Sequence, residues 1–535
     1  MTKCWGDKDP HMKARIPGLV SKLCLPVVLA AVVLALLISA CSAQVQLPGA
    51  SNPEPGISET LAAAAAGTNT PDTPPGIQPT PIPNTPETTP SLSLTPEQPA
   101  TIPLPHYTIT ATLNYAAHLL QVDERIDYAN SSADTLTELV MMVDAVYYPG
   151  TFHLDKLAWV SSAADAVYTW ENAILRLNLP QPLAPGEQVS LNLSYTLQLP
   201  SPLPSSEVRP VPFGYTARQT NLVDWYPFIA PYITGAGWLA HSAGFFGEHL
   251  VYPVSDFDIS IRLEDEQPNL IVAASSPAQE ADGWRRYHME RARNFAWSVS
   301  PEYIVATTQV GDTTLTSYTF QVHASAGETV LKTTADALAL YSELFGPYHR
   351  SALSVVEADF LDGMEYDGLY FLSNGFYNLY QGTPGEYLVA IAAHETAHMW
   401  WYALVGNDQA LEPWLDEALC TFSELLFYER YHPEAVNWWW SYRIQYYEPR
   451  GWVDRSIYTS SGYRGYRDSV YLNGAVFLDA LRKEIGPEVF TNFFKAYAER
   501  FSDQIATAKD FFLLLDEYSA SDLSNLKKEY FSNEY

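Results

Sequence analysis

The chain has 535 residues, of which 61 are acidic and 30 are basic, so its formal net charge is −31. Hydrophobic residues make up 47% of the chain and charged residues 17%, which excludes both disorder throughout and a protein with many membrane spans. The acidic balance argues against nucleic acid as a partner, because phosphate groups are bound by clustered Lys and Arg. Four Cys residues are too few for a disulfide-stabilised scaffold of this length.

The first 40 residues have the pattern of a secretory signal. Five basic residues precede residue 23, and the 18 residues 23–40 are almost wholly apolar. The sequence Ile38-Ser39-Ala40-Cys41 resembles a bacterial lipobox, which predicts cleavage before Cys41 and attachment of lipid to it. An uncleaved membrane-spanning helix is the alternative. Either interpretation predicts an extracytoplasmic protein that is tethered to a bacterial membrane, by lipid in the first case.

A low-complexity stretch follows the lipobox. Residues 42–105 hold 15 of the 39 prolines and contain no aromatic residue, Lys or Arg. Such a segment cannot bury enough apolar surface to offset its ordering entropy. Residues 41–105 are therefore predicted to be a lipidated cysteine followed by a disordered stalk.

The remaining sequence predicts two domains of different secondary structure. Short runs that alternate with period two, separated by Pro, Gly, Asn and Asp, predict an all-β saddle or sandwich domain over 106–312. The apolar period then lengthens to 3.6, which predicts a mostly α (α+β) domain over 313–535. Within it we expect a helix over 328–345, a buried strand over 352–358 and an edge strand over 368–377.

Two histidines four positions apart carry the strongest chemical signal. His394 and His398 flank Glu395, and positions four apart lie on the same face of a helix. Both imidazoles can then bind one zinc ion, while Glu395 takes a proton from the water that this metal activates. Two ordinary core histidines are the alternative interpretation.

A later acid completes the ligand set. Glu417 follows His398 after eighteen residues, and a carboxylate on a facing helix gives a two-His, one-Glu site with a position left open for water. Glu424 lies two turns further along the same face, where it can accept the second N–H of a zinc-bound histidine. A solvated helix carboxylate is the alternative for Glu424.

Helix start signals support this placement. Thr383 and Glu386 have the spacing of a capping box, and Pro384 would occupy the first helical position of the helix that carries the histidines. Pro413 marks the start of the second helix, just before Glu417.

Together these residues resemble the aminopeptidase N family of zinc peptidases, the gluzincins. The match rests on the His394-Glu395-x-x-His398 motif and on Glu417 within Trp-Leu-Asp-Glu. Two further segments agree in order, namely Asp362–Tyr366, which resembles the family's Gly-x-Met-Glu-Asn motif, and Tyr471–Gly474, which resembles its Tyr-x-Lys-Gly segment.

The resemblance implies an architecture. Residues 107–312 would be a saddle-shaped β domain, and residues 313–520 a thermolysin-like catalytic domain. The chain ends soon after the catalytic helices, so the large C-terminal helical domain of many family members would be missing.

It also implies roles for the catalytic and metal-binding residues. His394, His398 and Glu417 would bind one zinc ion per chain. Glu395 would be the general base and then the general acid. Tyr471 would donate a hydrogen bond to the tetrahedral oxyanion.

The same resemblance implies a set of substrate-binding residues. Glu365 would bind the free α-ammonium of the substrate, beside Gly363 and Met364. Gln219 is a candidate for the glutamine that the family's N-terminal domain directs toward the substrate amine. Tyr366 departs from the motif, which has Asn at that position.

An aromatic run lies between the last two motifs. Trp438–Trp440, Tyr446 and Tyr447 are interpreted as packing against the zinc helices, with a substrate pocket as the alternative.

The sequence therefore predicts a membrane-tethered zinc aminopeptidase that hydrolyses N-terminal peptide bonds of peptide substrates by metal-activated water. It predicts no nucleic-acid partner and gives no indication of oligomeric state. A zinc endopeptidase or another amide hydrolase remains an alternative, as does a non-catalytic lipoprotein binding module with a retained zinc site.

Overall fold

The described part of the chain begins at the end of the predicted stalk. The computed structural model describes residues 102–161, 165–201, 211–264 and 269–535, which all belong to the unit Leu94–Tyr535. The predicted signal segment 1–40, the lipid site at Cys41 and the stalk up to residue 101 lie outside the described residues, so all three stay predictions. Within the described ranges, no helix combines the length and apolar character that crossing a membrane requires.

Strands dominate the region from residue 106 to residue 300. In the first strand Tyr107, Ile109, Ala111 and Leu113 are buried and alternate with more exposed residues, as a half-buried strand requires. The strands are β1 (His106–Asn114), β2 (Leu119–Ala129), β3 (Leu136–Met142), β4 (Phe152–Trp159), β5 (Tyr168–Glu171), β6 (Ile174–Leu183), β7 (Gln188–Gln198), β8 (Gly214–Tyr215), β9 (Thr220–Leu222), β10 (Phe228–Ile229), β11 (Tyr232–Ile233), β12 (Gly237–Trp238), β13 (Ser255–Leu263), β14 (Ile271–Ala274), β15 (Gln279–Ala281), β16 (Trp284–Ala292) and β17 (Trp297–Ser300).

These strands form one large sheet and several smaller ones. The large sheet has the order β15-β16-β13-β1-β2-β7-β4, with β1 antiparallel to β2 and parallel to β13. Two four-stranded sheets have the orders β10-β3-β6-β5 and β14-β17-β9-β8, and β11 pairs with β12. Their inward faces share one core, which includes Ile109, Leu139, Leu193 and Ile259.

A mixed sheet and helices make up the rest of the chain. The sheet has the order β18-β19-β20-β22-β21, and the boundary predicted at residue 312 falls in the turn between its first two strands. The elements are β18 (Tyr303–Val310), β19 (Thr313–Phe320), α1 (Ala324–Phe345), β20 (Ala352–Ala358), β21 (Gly363–Tyr366), β22 (Leu369–Ser373), α2 (Asn374–Leu379), α3 (Tyr387–Ala397), β23 (Gly406–Asn407), α4 (Trp414–Tyr431), α5 (Val436–Trp438), α6 (Tyr463–Tyr466), α7 (Gly474–Ile485), α8 (Pro487–Arg500), β24 (Ile505–Ala506), α9 (Ala508–Tyr518) and α10 (Ser524–Tyr530), with π-helical segments at Trp439–Ile444 and Arg467–Asn473. The predicted order, a β region followed by a mostly helical region, is confirmed.

The edge strand predicted over 368–377 is wrong in position. The strand β22 covers only Leu369–Ser373 and lies between β20 and β21, so that β21 forms the edge. All five residues of β22 are buried, as is typical of a strand covered on both faces. The Ser373 hydroxyl accepts a hydrogen bond from Gly375 N and starts α2.

The helix that carries the histidines begins later than predicted. The carboxylate of Glu386 accepts hydrogen bonds from Thr383 N and Oγ1 and from Gln381 N, so it caps the preceding loop and α3 begins at Tyr387. The predicted start of α4 after Pro413 is confirmed. Helix α3 packs against α1 on one side and α4 on another, which places its histidines opposite the acids of α4.

Candidate metal centre and active-site cleft

Three side chains converge between α3 and α4. One ligand atom each of His394, His398 and Glu417 lies within 4.8 Å of the others. The Oε2 atom of Glu417 is 3.2 Å from Nε2 of His394 and 3.8 Å from Nε2 of His398. All three residues are at most 4% exposed. Two imidazoles and one carboxylate facing a common point form the donor set of an open zinc site.

The outer nitrogen of each histidine is held by a second acid of α4. Glu424 Oε1 lies 3.0 Å from His394 Nδ1, as the sequence analysis proposed. Asp416 Oδ1 lies 2.6 Å from His398 Nδ1 as an ion-pair contact, and the same nitrogen is 3.2 Å from the carbonyl of Trp401, which is its hydrogen-bond partner. Such partners set the ring orientation and leave Nε2 of each ring directed at the ion.

Glu395 lies beside the convergence point and against a glycine. Its side chain is 4% exposed, and its Oε2 has no hydrogen-bond partner among the described residues. A Cβ added at Gly363 would lie 1.9 Å from Glu395 Oε1, so the absence of a side chain at Gly363 leaves the space that this carboxylate occupies. The pair thus combines a predicted base with the residue that makes room for it.

Glu365 stands on the edge strand β21, at the end of the cleft nearest His398. One ligand atom each of Glu365, Glu395 and His398 lies within 4.8 Å of the others. Gln409 Nε2 donates to Glu365 Oε1 at 3.2 Å and to Asp416 Oδ2 at 2.7 Å, which links Glu365 to the metal centre.

Met364 points away from the metal cleft. It lines a small adjoining cavity of about 40 Å³, which Glu365 and Tyr366 also line. The predicted substrate residues Gly363, Met364 and Glu365 are thus together, but only Gly363 and Glu365 line the metal cleft.

Tyr471 lies on the π-helical segment at Arg467–Asn473. Its hydroxyl donates to Glu417 Oε1, and its ring is parallel to that of His394, with centroids 6.2 Å apart. The structure therefore brings Tyr471 to the metal ligands although it is distant from them in sequence.

Gln219 is the predicted site residue that does not reach the cleft. It is fully buried, and its Nε2 donates to Tyr303 Oη at 2.6 Å and to the carbonyl of Glu357 at 3.1 Å. Its Oε1 accepts from Asp359 N at 2.6 Å. Because the amide is fully used in joining the β region to the mixed sheet, the prediction that Gln219 contacts a substrate amine is corrected.

Burial and close pairing shift the pKa values of the acids and histidines at the site. Burial, which outweighs the nearby His398 and His394, raises the pKa of Glu395 to about 8, and burial also raises the pKa of Asp416 to about 7. Burial would lower the pKa of His394, but its hydrogen bonds to Glu417 and Glu424 raise it to about 9. Five buried acids lie around the site together with Arg443, and they are Glu365, Glu395, Asp416, Glu417 and Glu424. The donor set of two imidazoles and one carboxylate fits Zn²⁺.

The metal centre opens into a cleft of about 400 Å³. Glu365 and Gly363 lie on one wall, His394 and Glu395 on another, and Tyr471 faces them. The cleft is large enough for a peptide segment, since ligand sites commonly enclose a few hundred Å³ or more.

Asp416 and Arg443 are site residues that the sequence analysis missed. Asp416 directly precedes Glu417, and a second acid at the start of a ligand-bearing helix is a usable signal. Arg443 binds Glu424 with its Nε at 3.0 Å and its Nη2 at 2.8 Å. Arg443 is the one basic residue within the aromatic run 438–447. A lone basic residue in such an apolar segment could have indicated that it pairs with a buried acid.

Known proteins resemble the part of the chain that carries this site. Residues 330–530 match the family described as Peptidase family M1 domain. That stretch of the chain is similar to the domains of this family. The ligand motif, Glu395 and Tyr471 all lie inside it.

Known relatives resemble both parts of the chain. Aminopeptidase M1-D of Oryza sativa subsp. japonica is 26% identical over 242 residues, which span 42% of this chain but only 27% of that protein. A crystal structure of a mutant M1 zinc metallopeptidase from Deinococcus radiodurans has a TM-score of 0.57 at 18% identity and covers 81% of this chain and 95% of its own. Another structure of such a mutant, bound to a Tyr-Ser-Ala substrate, has a TM-score of 0.56 at 18% identity, with the same coverage of both chains. The β region and the helical region that follows it together thus share the fold of these peptidases.

Proposed function

We propose that this chain is a zinc-dependent aminopeptidase that removes N-terminal residues from peptides. The convergence of His394, His398 and Glu417 beside the buried carboxylate of Glu395 carries the proposal. A structural zinc site would be closed by a fourth protein ligand, whereas this set of three opens into a cleft. We also infer that the β region is a saddle-shaped domain and that the region after it is a thermolysin-like domain.

The chain's own residues supply the proton transfers and the charge stabilisation. Zinc, when bound, would supply a Lewis acid that polarises the scissile carbonyl and acidifies water. Glu395 takes the proton of the attacking water and gives it to the leaving amine, since its carboxylate lies beside the metal-binding histidine His398. Tyr471, at the edge of the same cleft, donates a hydrogen bond to the oxyanion that develops.

Glu365 makes the enzyme an exopeptidase. Its carboxylate stands at one end of the cleft and is oriented by Gln409. An N-terminal ammonium pairs with this buried acid, while an internal peptide bond offers no cation to it. The Tyr-Ser-Ala peptide bound by the Deinococcus radiodurans mutant is a substrate of the size that this arrangement would take.

The direct test is hydrolysis of aminoacyl-anilides. We expect turnover that a chelator abolishes and added zinc restores, and we expect Glu395→Gln to lose turnover while it retains zinc. Normal turnover by Glu395→Gln would show that the base is assigned wrongly. Stoichiometric zinc without turnover in the unmodified protein would favour the non-catalytic binding module.

N-terminal acetylation separates an aminopeptidase from an endopeptidase. Acetylation removes the positive charge that Glu365 binds, so we expect an acetylated peptide to resist cleavage while the free peptide is degraded from its N-terminus. Equal cleavage of both peptides, with internal products, would identify an endopeptidase and remove Glu365 from its role.

We also propose that lipid on Cys41 tethers the enzyme to the outside of a bacterial membrane. The support is the signal pattern in residues 1–41, which lie outside the described part of the chain. Labelled fatty acid should be incorporated into the protein, and Cys41→Ser should abolish incorporation and release the protein from membranes. Unchanged incorporation in that variant would exclude Cys41 as the lipid site.

A further inference from the structure

An apolar groove continues the metal cleft on the side away from Glu365. We define this downstream groove by six of the residues that line it, Phe376, Leu379, Tyr387, Trp438, Tyr446 and Tyr447. Its volume is about 590 Å³, and four of the six residues also line the metal cleft. The two spaces are therefore continuous.

The face of α3 fixes the direction of the groove. Tyr387, Ile391, His394 and His398 follow one another at spacings of three or four residues and so share one helix face. Glu365 lies at the His398 end of this face, and Tyr387 at the other. Tyr387 lies seven positions before His394, which corresponds to about 10 Å along the helix.

The opposite wall of the cleft leads the same way. Strand β21 pairs with β22 in antiparallel fashion, so that Glu365 lies opposite Tyr370 and Gly363 lies opposite Leu372. The chain of β22 then continues from Leu372 into α2, which carries Phe376 and Leu379. Moving from Glu365 to Gly363 therefore leads toward the groove, in agreement with the direction along α3.

Large apolar side chains are exposed at the rim of this groove. Leu379 is 75% exposed and Tyr446 is 71% exposed. Tyr447 is held in place because its hydroxyl is 2.9 Å from that of Tyr387 and the guanidinium of Arg467 lies 3.9 Å from its ring centroid. A rigid, apolar wall that is exposed beside a binding cleft is typical of a surface that contacts a ligand.

We propose that the downstream groove binds the peptide residues that follow the cleaved bond and selects apolar or aromatic side chains there. This inference rests on the proposed aminopeptidase function, since Glu365 fixes where the peptide begins. An extended peptide advances about 3.3 Å per residue, so the rise of about 10 Å along α3 from His394 to Tyr387 corresponds to about three residues. The third and fourth residues of a substrate thus reach Leu379 and Tyr446.

The test compares two tetrapeptide amides that differ only downstream, Ala-Ala-Phe-Phe-amide and Ala-Ala-Ser-Ser-amide. With the full-length, zinc-loaded chain, we expect kcat/KM for removal of the first Ala to be about tenfold higher for the Phe peptide, the size of effect that an apolar contact gives. Leu379→Ser and Tyr446→Ser should each reduce this ratio to about twofold or less. Val322→Ser is the matched control, because Val322 is 76% exposed but does not line the groove, and it should keep the tenfold ratio.

Equal kcat/KM for the two peptides, or a ratio that both groove variants retain, would overturn the inference. Zinc-dependent hydrolysis of an aminoacyl-anilide in the same preparation would then show that the proposed function stands while the inference fails. Binding of the two peptides to zinc-loaded Glu395→Gln gives a readout that does not need turnover, with about a tenfold difference in Kd expected and equal Kd values contradicting the inference. If Tyr446→Ser dissociates a dimer without changing peptide preference, a second copy of the chain occupies the groove and the inference is wrong.

Discussion

The absence of a side chain at Gly363 leaves the space that Glu395, the proposed general base, occupies. The added methyl group of Gly363→Ala would overlap the Glu395 carboxylate, since a Cβ there would be 1.9 Å from Oε1. We expect kcat to fall by roughly 100-fold, because a displacement of about 1 Å at the reacting groups has this effect. Zinc content should stay at the level of the unmodified protein, and metal analysis beside steady-state kinetics checks both.

The control for this variant is Gly465→Ala. Gly465 lies in α6, and an added Cβ would meet only the Ser461 hydroxyl, at 3.1 Å. Its kcat should remain within about twofold of the unmodified protein. An unimpaired kcat in Gly363→Ala would mean that Glu395 occupies another position during turnover.

Glu124 is an acid on the buried face of β2 and lies far from the site. It is 2% exposed, and burial raises its pKa well above the ordinary value. Because the folded protein holds this proton more tightly than the unfolded chain, Glu124 destabilises the fold increasingly as pH rises above about 4.5. Glu124→Gln reproduces the neutral acid and should raise the free energy of unfolding by about 1–3 kcal/mol at pH 8.

The pH dependence distinguishes this explanation from a simple gain of packing. Urea unfolding of both proteins between pH 5 and pH 8 should show a gap that widens with pH. A gap of constant size across this range would show that the carboxyl of Glu124 does not gain its proton on folding.

At the scale of elements, α4 carries the proposed ligand Glu417 and also the acids that contact the proposed ligands of α3. Asp416 and Glu424 contact the outer nitrogens of His398 and His394. Asp416→Asn keeps the shape of the side chain but removes its charge, so we expect zinc to bind about 10–100-fold more weakly. Competition with a chelating dye measures this affinity directly.

Asp479→Asn provides a comparison on a neighbouring helix. Asp479 is also buried, at 5% exposure, but it pairs with Lys483 and Arg482 of α7 and not with a metal ligand. Its substitution should leave zinc affinity unchanged. Equal loss of affinity in the two variants would mean that Asp416 acts through general stability.

Local rules explain which elements the sequence could predict. The spacing of His394 and His398 and the start of α4 after Pro413 depend on neighbours within a few turns, and both predictions agree with the structure. The position of β22 depends on pairing with β20 and β21, and no local pattern encodes which strand becomes the edge. The start of α3 was misplaced because Glu386 caps the loop before it.

For the site residues too, sequence patterns predict local spacing but not the contacts between elements. Glu424 could be placed by helical periodicity from Glu417, whereas Asp416 has a role only because α3 packs against α4. The prediction for Gln219 is wrong because its buried amide binds groups of β18 and β20. These contacts join segments more than 80 residues apart.

For the molecule as a whole, the buried ion pair of Asp367 with Arg350 also binds backbone groups of the β region, because Arg350 donates to the carbonyls of Glu290 and Arg291. Asp367 is fully buried, and its Oδ2 accepts from Arg350 Nη2 at 2.7 Å and from Arg293 N at 3.0 Å. Burial alone would raise the pKa of Asp367, but Arg350 outweighs it and holds the pKa below its usual value. The contribution to stability is therefore present at neutral pH and lost as pH falls below about 4.

Asp367→Asn should lower the free energy of unfolding by about 3–5 kcal/mol at pH 7, because Arg350 would be left buried without its partner. Urea unfolding followed by tryptophan fluorescence measures the change. Glu517→Gln, which breaks an exposed pair with Arg500, should leave the transition unchanged. A similar small effect in both variants would show that the Asp367 pair does not hold the two regions together.

The position of a bound zinc ion tests the whole account most directly. Anomalous diffraction at the zinc absorption edge, from crystals of the zinc-loaded protein, should show one strong peak per chain. We expect it about 2 Å from Nε2 of His394, Nε2 of His398 and an oxygen of Glu417. A protein saturated with zinc that shows no peak there, or its peak among other residues, would contradict the account.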